Sequence, residues 1–312
     1  MRSIKRVLFM GSKDLGLGVL KEMVALSPKT LIGALTIDDK SDCRSALSDF
    51  KVFAKEKNIK LYVASNKADS ERIIQELKPD LCFVVGWYWL ISDATLDGVA
   101  KGFIGIHNSL LPQYRGSAPL VWAMMAGEKK VGFSLFTFTK GMDDGPIWVQ
   151  GSVSVEDSDD IGDVLVKLKT KAVKTVHEKY PAILDGKIKP VAQKHNQATY
   201  CAQRLPSDGN INWSEPARKI YDFIRSQANP YPGAFTYYQS AELKIWRAQL
   251  CDKVYFGTPG QVAQIGKDGV YVICGDNRAI ILKDIEFGGK RQPAQEILKT
   301  ISIRFPDTKV AK

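Results

Sequence analysis

The chain has 312 residues, 45% apolar and 25% charged, enough to bury a substantial core and to build two domains. Five dispersed cysteines (Cys43, Cys82, Cys201, Cys251, Cys274) and three scattered histidines (His107, His177, His195) exclude a disulfide framework, a zinc site and a histidine-rich metal centre from the expected features. The net charge of +10 admits a polyanion or a small phosphorylated ligand, but no compact Lys/Arg run marks a nucleic-acid patch, and the apolar stretch 7–10 is too short for a signal-peptide core or a membrane span. A soluble protein of the reducing cytoplasm is expected.

In the first half, apolar strand-like runs alternate with helix-like segments, the pattern of a parallel sheet with helices on both faces. Strands are expected at 7–10, 31–36, 61–63, 81–85 and 103–107. Between them, helices at 15–26, 46–57 and 70–77 carry apolar residues three and four positions apart. Strands at 132–138 and 147–155 and a long helix at 160–184 follow. Residues 185–206 lose periodicity and carry Gly, Pro, Lys and Gln, the composition of a crossover between domains. After a helix at 216–227 and the turn NPYPGAF, short strands at 243–247, 260–265, 269–274 and 279–286 predict a small barrel. The expected architecture is an α/β catalytic domain, 1–185, on an open, mostly parallel twisted sheet of Rossmann-like form. A linker, 186–206, and a smaller OB-like β-barrel domain, 207–312, complete it.

The residues capable of chemistry concentrate in 102–150. His107 closes an apolar strand before a polar loop containing Gly and Pro, where open α/β sheets place their ligands. From position alone, a satisfied histidine at a strand end reads equally well. The motifs around it carry more. HNSLLPQYRG, 107–116, resembles the H-x-S-L-L-P-x-x-R-G signature of formyltransferases that use 10-formyltetrahydrofolate, and GMDDG, 141–145, resembles their G-[LMA]-D-x-G element. Asp143 follows His107 by 36 positions, the separation of the family's histidine and aspartate. PDLCFVVGWYWLIS, 79–92, is similar to the family's strand and folate loop, and 211–235 to the start of its C-terminal domain, so the resemblance covers most of the chain.

The resemblance implies transfer of a formyl group to an amine, without a metal. Such a step needs a neutral attacking amine, an acceptor for its proton and donors for the developing oxyanion. Imidazole suits either of the last two tasks. His107 is therefore the expected catalytic residue, with Asp143 fixing its tautomer and Asp144 bracing the turn. Family members commonly carry Asn two residues before the histidine as an oxyanion donor; here that position is Gly105. Losing one such donor typically costs about 10²- to 10³-fold in rate. Asn108 can substitute only if the strand ends at His107, because otherwise it points to the opposite face. A water in the space that Gly105 leaves, or a backbone N–H, are the alternatives. A hydrolase branch of the family tolerates an apolar residue at this position.

By the same resemblance, Gly86, Trp87, Tyr88, Trp89 and Leu90 hold the pterin, bordered by Gly141 and Asp143. The competing reading makes the Trp-rich stretch core. The loop Met10, Gly11, Ser12, Lys13 lies between a strand and a helix and suits a phosphate or the substrate amine. It does not match G-x-G-x-x-G, so no dinucleotide is expected. Ser109, Arg115 and Gly116 complete the expected substrate site, with Arg115 either fixing the loop or binding phosphate. Family members acting on methionyl-tRNA usually carry a basic insertion after the second strand, whereas TIDDKSDCRSALSDF, 36–50, is mixed in charge. NPYPGAFTYY and LKIWRA are similar to the C-terminal domains of enzymes that modify nucleotide-linked amino sugars, and also to those of tRNA enzymes. A nucleotide-linked amino sugar is the expected acceptor, with methionyl-tRNA or an N-hydroxyornithine-type precursor as alternatives. A 10-formyltetrahydrofolate hydrolase and a catalytically silent folate or nucleotide binder also stay open. The other partner expectations are no membrane and a homodimer.

Overall fold

In a computed structural model, which describes residues 4–306, the apolar runs of the first half form one seven-stranded sheet. The chain order is β1 (Val7–Gly11), α1 (Lys13–Leu26), β2 (Leu31–Ile37), α2 (Leu47–Glu56), β3 (Leu61–Ala64), α3 (Lys67–Leu77) and β4 (Leu81–Val85). Then follow α4 (Asp93–Gly98), β5 (Phe103–His107), β6 (Arg115–Gly116), α5 (Pro119–Met125), β7 (Lys130–Thr137), β8 (Ile147–Ser154) and α6 (Ile161–Leu184). The sheet order is β3-β2-β1-β4-β5-β7-β8, with β1 to β5 mutually parallel where they pair and β7 antiparallel to β5.

Alternate residues of the central strands serve two cores. Val7, Phe9, Leu81, Phe83 and Val85 pack with Leu20, Phe50 and Tyr180, while Leu8, Met10, Cys82 and Val84 pack with Leu35, Ile74 and Phe103. Burial on both faces is why these strands read as continuous apolar runs instead of alternating ones. The sheet order reverses between β1 and β4, so the loops after these strands open at a topological switch point.

The second half supplies β9 (Tyr200–Cys201), α7 (Ala217–Arg225), β10 (Ala234–Tyr238), β11 (Ala241–Val254), β12 (Val262–Gly266), β13 (Gly269–Ile273), β14 (Arg278–Phe287) and β15 (Lys290–Pro293). Strands β10 to β15 form a six-stranded antiparallel sheet, the module expected from the closely spaced short strands. The expected strand 243–247 falls in the first half of the long β11, whose register against β14 shifts at three places. Such irregularities bend a strand and let a small sheet curl over its own core. That core contains Trp213, stacked on Phe305 with ring centroids 5.4 Å apart, together with Ile220, Ile224, Leu243, Val270 and Ile280.

The division of the chain differs from the sequence expectation. The first compact unit comprises residues up to Pro119, Lys130–Val153 and Val166–Cys201; the second takes Leu120–Lys129, Ser154–Leu165 and the chain from Ala202 on. Most of the expected linker belongs to the first unit because hydrogen bonds dock it there. β9 pairs with β6, Tyr114 N donates to Thr199 Oγ1 at 2.8 Å, and Val191 and Ile147 exchange backbone bonds of 2.8 Å. Residues 154–160 join the second unit through Arg225, whose Nη1 donates to the carbonyls of Glu156 and Asp159 at 2.9 and 3.0 Å. The outer bounds of the expected domains, 1–3 and 307–312, lie outside the described residues. Among the described residues no helix is long and apolar enough to cross a membrane.

Arg225 and Asp222 are 4% and 5% exposed and bonded at 2.7 Å. Arg225→Ala leaves a buried carboxylate and two carbonyls short of a donor, and should cost about 3 kcal/mol. The check is chemical denaturation of the full chain; an unchanged midpoint would contradict this account of the 154–160 segment.

Candidate active site

His107 is the last residue of β5, and the pairing of Val85 with Ile106 sets Gly86 beside it at the carboxyl end of the sheet. Its Nε2 lies 2.8 Å from the carbonyl oxygen of Tyr114. A carbonyl only accepts, so this bond places the ring proton on Nε2 and leaves Nδ1 as the acceptor nitrogen. Nδ1 faces Asp143 Oδ2 at 3.7 Å, too far for a hydrogen bond and close enough for electrostatic support of a proton arriving on the ring. The tautomer is thus set by Tyr114 and not, as expected, by Asp143. The Asp143 carboxylate is itself held by the backbone N–H of Gly116, 2.8 Å from Oδ2. Asp144 braces the turn, accepting from the Thr139 hydroxyl.

The space beside Gly105 is filled. A Cβ there would lie 2.4 Å from Cε1 of Phe138 and 2.9 Å from the carbonyl oxygen of Val84. Neither a water nor an Asn amide fits there without displacing the ring, which removes the water from the alternatives for the oxyanion donor. The strand does end at His107, which frees Asn108 from strand alternation. Asn108 is half-buried, and its side-chain amide has no hydrogen-bond partner among the described residues.

Several residues expected to touch substrate are turned to internal duties. The buried Ser109 hydroxyl donates to Gln113 O at 2.6 Å, and Arg115, 2% exposed, directs its guanidinium at Gln193 Oε1, His195 Nδ1 and the Tyr200 hydroxyl. Gly116 spends its N–H on Asp143. Underneath, Ser134 Oγ donates to Ser109 O and accepts from Leu111 N, while Gln150 Nε2 donates to Leu111 O. Sequence reasoning missed Ser134, Gln150 and Gln193, whose bonds to backbone groups leave no compositional signal.

At the switch point, Met10 and Gly11 are buried at the end of β1. The buried hydroxyl of Ser12 donates to Gly86 O, joining the two loops. Lys13 Nζ sits 2.7 Å from Asp39, 2.8 Å from Asp42 and over the Tyr88 ring, whose hydroxyl also donates to Asp42. Partial burial works to lower the Lys13 pKa, but the two carboxylates outweigh it and hold it above the ordinary value. Burial likewise opposes ionisation of Asp42, while Arg44 and Lys13 together hold its carboxyl well below the usual range. In the next loop Trp87 and Trp89 pack against the core, edge to face at 5.6 Å, whereas Gly86, Tyr88 and Leu90 are exposed. Trp87 and Trp89 thus follow the core reading, while the side chains of Tyr88 and Leu90 face solvent. Gly141 and Met142 are exposed on the turn that carries Asp143.

Residues 33–180 match the family model described as formyl transferase, and residues 205–302 match the formyl transferase C-terminal domain. The methionyl-tRNA formyltransferase of Acetivibrio thermocellus is 32% identical over 297 residues, covering 93% of this chain and 94% of that protein. The chain belongs to the formyl transferase family. The methionyl-tRNA formyltransferase of Caldanaerobacter subterraneus subsp. tengcongensis is 30% identical over 98% of this chain and 100% of that one. Among solved structures, the sugar 3N-formyl transferase WlaRD, crystallised with dTDP and 5-N-formyl-THF, superposes with a TM-score of 0.69 over 90% of this chain and 98% of its own. Its sequence identity is 16%, so this likeness shows the fold. The protein is a folate-dependent formyltransferase.

Two outcomes follow from the geometry of this formyltransferase. Gly105→Asn forces the Phe138 ring aside and should lower stability by roughly 1–3 kcal/mol, with partial recovery in the Gly105→Asn/Phe138→Ala pair; thermal melts that show no loss in the single variant would refute the close contact. Asp42, depressed in the folded state, contributes stability above its unfolded pKa and loses it as pH falls below about 4. The melting-temperature gap between wild type and Asp42→Asn should accordingly shrink on acidification, and a gap independent of pH would count against the ion pair.

Proposed function

We propose that this enzyme transfers the formyl group of 10-formyltetrahydrofolate to the amine of a nucleotide-linked amino sugar, with His107 and Asp143 as its catalytic pair. The observation that carries the reading is the acceptor nitrogen of His107 standing 3.7 Å from a carboxylate at the ligand edge of the sheet. The exposed Gly86, Tyr88, Leu90 and Met142 offer the aromatic and apolar surfaces that suit a pterin. The folate supplies an electrophilic formyl carbon bonded to a nitrogen leaving group. The neutral amine attacks that carbon, and His107 Nδ1 accepts the amine proton. Asp143 stabilises the charged ring, and the same proton passes to the departing folate nitrogen as the carbon–nitrogen bond breaks. Asn108, released from the strand, supplies the oxyanion donor that Gly105 cannot.

The acceptor assignment rests on the segment after β2. It carries Asp38, Asp39 and Asp42 against Lys40 and Arg44, and Arg44 is paired with Asp42. A polyanion would meet few unpaired cations there. Methionyl-tRNA is the second reading, favoured by the names of the 30% and 32% identical relatives.

Parallel assays with 10-formyltetrahydrofolate and either acceptor, read by product mass, decide between them. Formylation of methionyl-tRNA alone refutes the sugar reading, and formate release without any acceptor makes the enzyme a hydrolase. His107→Ala should lower kcat by about 10²-fold or more, and Asn108→Ala by about 10²-fold with little change in KM. Full activity in Asn108→Ala would return the oxyanion role to backbone groups.

A further inference from the structure

The two motif loops are joined from outside both motifs. Gln193, in the segment between α6 and β9, is 6% exposed. Its Oε1 accepts from Arg115 Nε at 3.2 Å and Nη2 at 2.7 Å, while its Nε2 donates to the carbonyl oxygens of Asp143 at 2.8 Å and Gly145 at 2.7 Å. A carboxamide presents an acceptor and two donors from one planar group, which this arrangement uses in full. One side chain therefore holds Arg115 of the signature loop and both ends of the three-residue stretch that begins at Asp143.

That stretch needs holding. Asp143 has φ of +47°, a region that non-glycine residues seldom adopt and that Asp tolerates better than most. At Gly145 a Cβ would stand 1.9 Å from the carbonyl oxygen of Thr137, so the turn is pressed against β7 on one side and anchored by Gln193 through its carbonyls. Arg115 is in turn fixed by His195 and Tyr200, which makes the anchor rigid. The next residue, Gly116, offers the N–H that binds the Asp143 carboxylate. A shift of the anchor moves donor and acceptor of that bond at once.

We infer that Gln193 is the positioning residue that sets the Asp143 carboxylate against His107 and Gly116. The inference rests on the reading of His107 and Asp143 as the catalytic pair, but the geometry it asserts is measurable without the reaction. Gln193→Ala removes both halves of the bridge. Gln193→Glu keeps an acceptor for Arg115 and turns oxygens on the two carbonyls, so it separates support of Arg115 from support of the turn.

Hydrogen exchange of the full-length chain reads the Gly116 amide directly, with Asp143→Ala as the reference for a lost bond. Both Gln193 variants should lose protection at Gly116 by about 10-fold while amides of β13 keep theirs. In formyl transfer kcat should fall about 10- to 100-fold with KM for the folate nearly unchanged. Introduced into Asp143→Ala, the same substitutions should add less than about twofold, since neighbours acting through one group are not additive. The inference is overturned if Gln193→Glu retains Gly116 protection and turnover, or if the Gln193 effect persists whole in the Asp143→Ala background. If Gln193→Ala does not fold, Gln193→Glu carries the same comparison. If the wild type transfers no formyl group, the proposed function fails, while exchange at Gly116 still decides the role of Gln193.

Discussion

A single charge-assisted hydrogen bond, 2.8 Å from the Gly116 backbone to the Asp143 carboxylate, closes the distance between two loops that share no ladder of their own. The signature segment and the β7–β8 turn are tied there and again through Gln193, and the approach of Asp143 to His107 depends on both ties. The surrounding polar contacts read as the means of keeping that bond in place. Ser134 and Gln150 hold the signature loop from below, and Thr199 holds it from the side through the Tyr114 amide. Buried polar groups of this kind hold shape only when every member is satisfied, which is why so many side chains in the motif serve the backbone and not a ligand.

That allocation also bears on charge. The protein carries +10 overall, yet cations near the ligand edge of the sheet are engaged: Lys13 and Arg44 by carboxylates, Arg115 by an amide, an imidazole and a phenol. A basic composition here does not translate into an open basic surface at the site.

The sheet was legible in the sequence because strands buried on both faces are continuous apolar runs, and His107 and Asp143 were legible because two motifs at a fixed separation seldom coincide by accident. What lay beyond reading was set by register and by backbone bonding. The Phe138 ring reaches the space over Gly105 because β7 lies beside β5 in one register, and no spacing in the chain reveals that. Gln193 sits among residues whose low periodicity marked a connector, and its partners are mostly backbone carbonyls, which have no identity in a sequence. The interleaving of 120–129 and 154–165 with the second unit was hidden for a similar reason, since Arg225 grips the carbonyls of Glu156 and Asp159.

The interleaving bears on how the molecule is made. A chain emerging from the ribosome delivers β6 some eighty residues before β9, its partner in the two-stranded sheet, and delivers Leu120–Lys129 long before any residue after Ala202. Neither unit can be completed from a contiguous stretch of nascent chain, so the customary order, first domain finished while the second is still being made, is closed to it. Early apolar segments such as Leu120, Val121 and Met124, buried in the finished protein, must wait uncovered for late ones. Until the residues after Ala202 are made, the second unit stays incomplete, and apolar side chains left open in incomplete domains are what nascent-chain shielding covers.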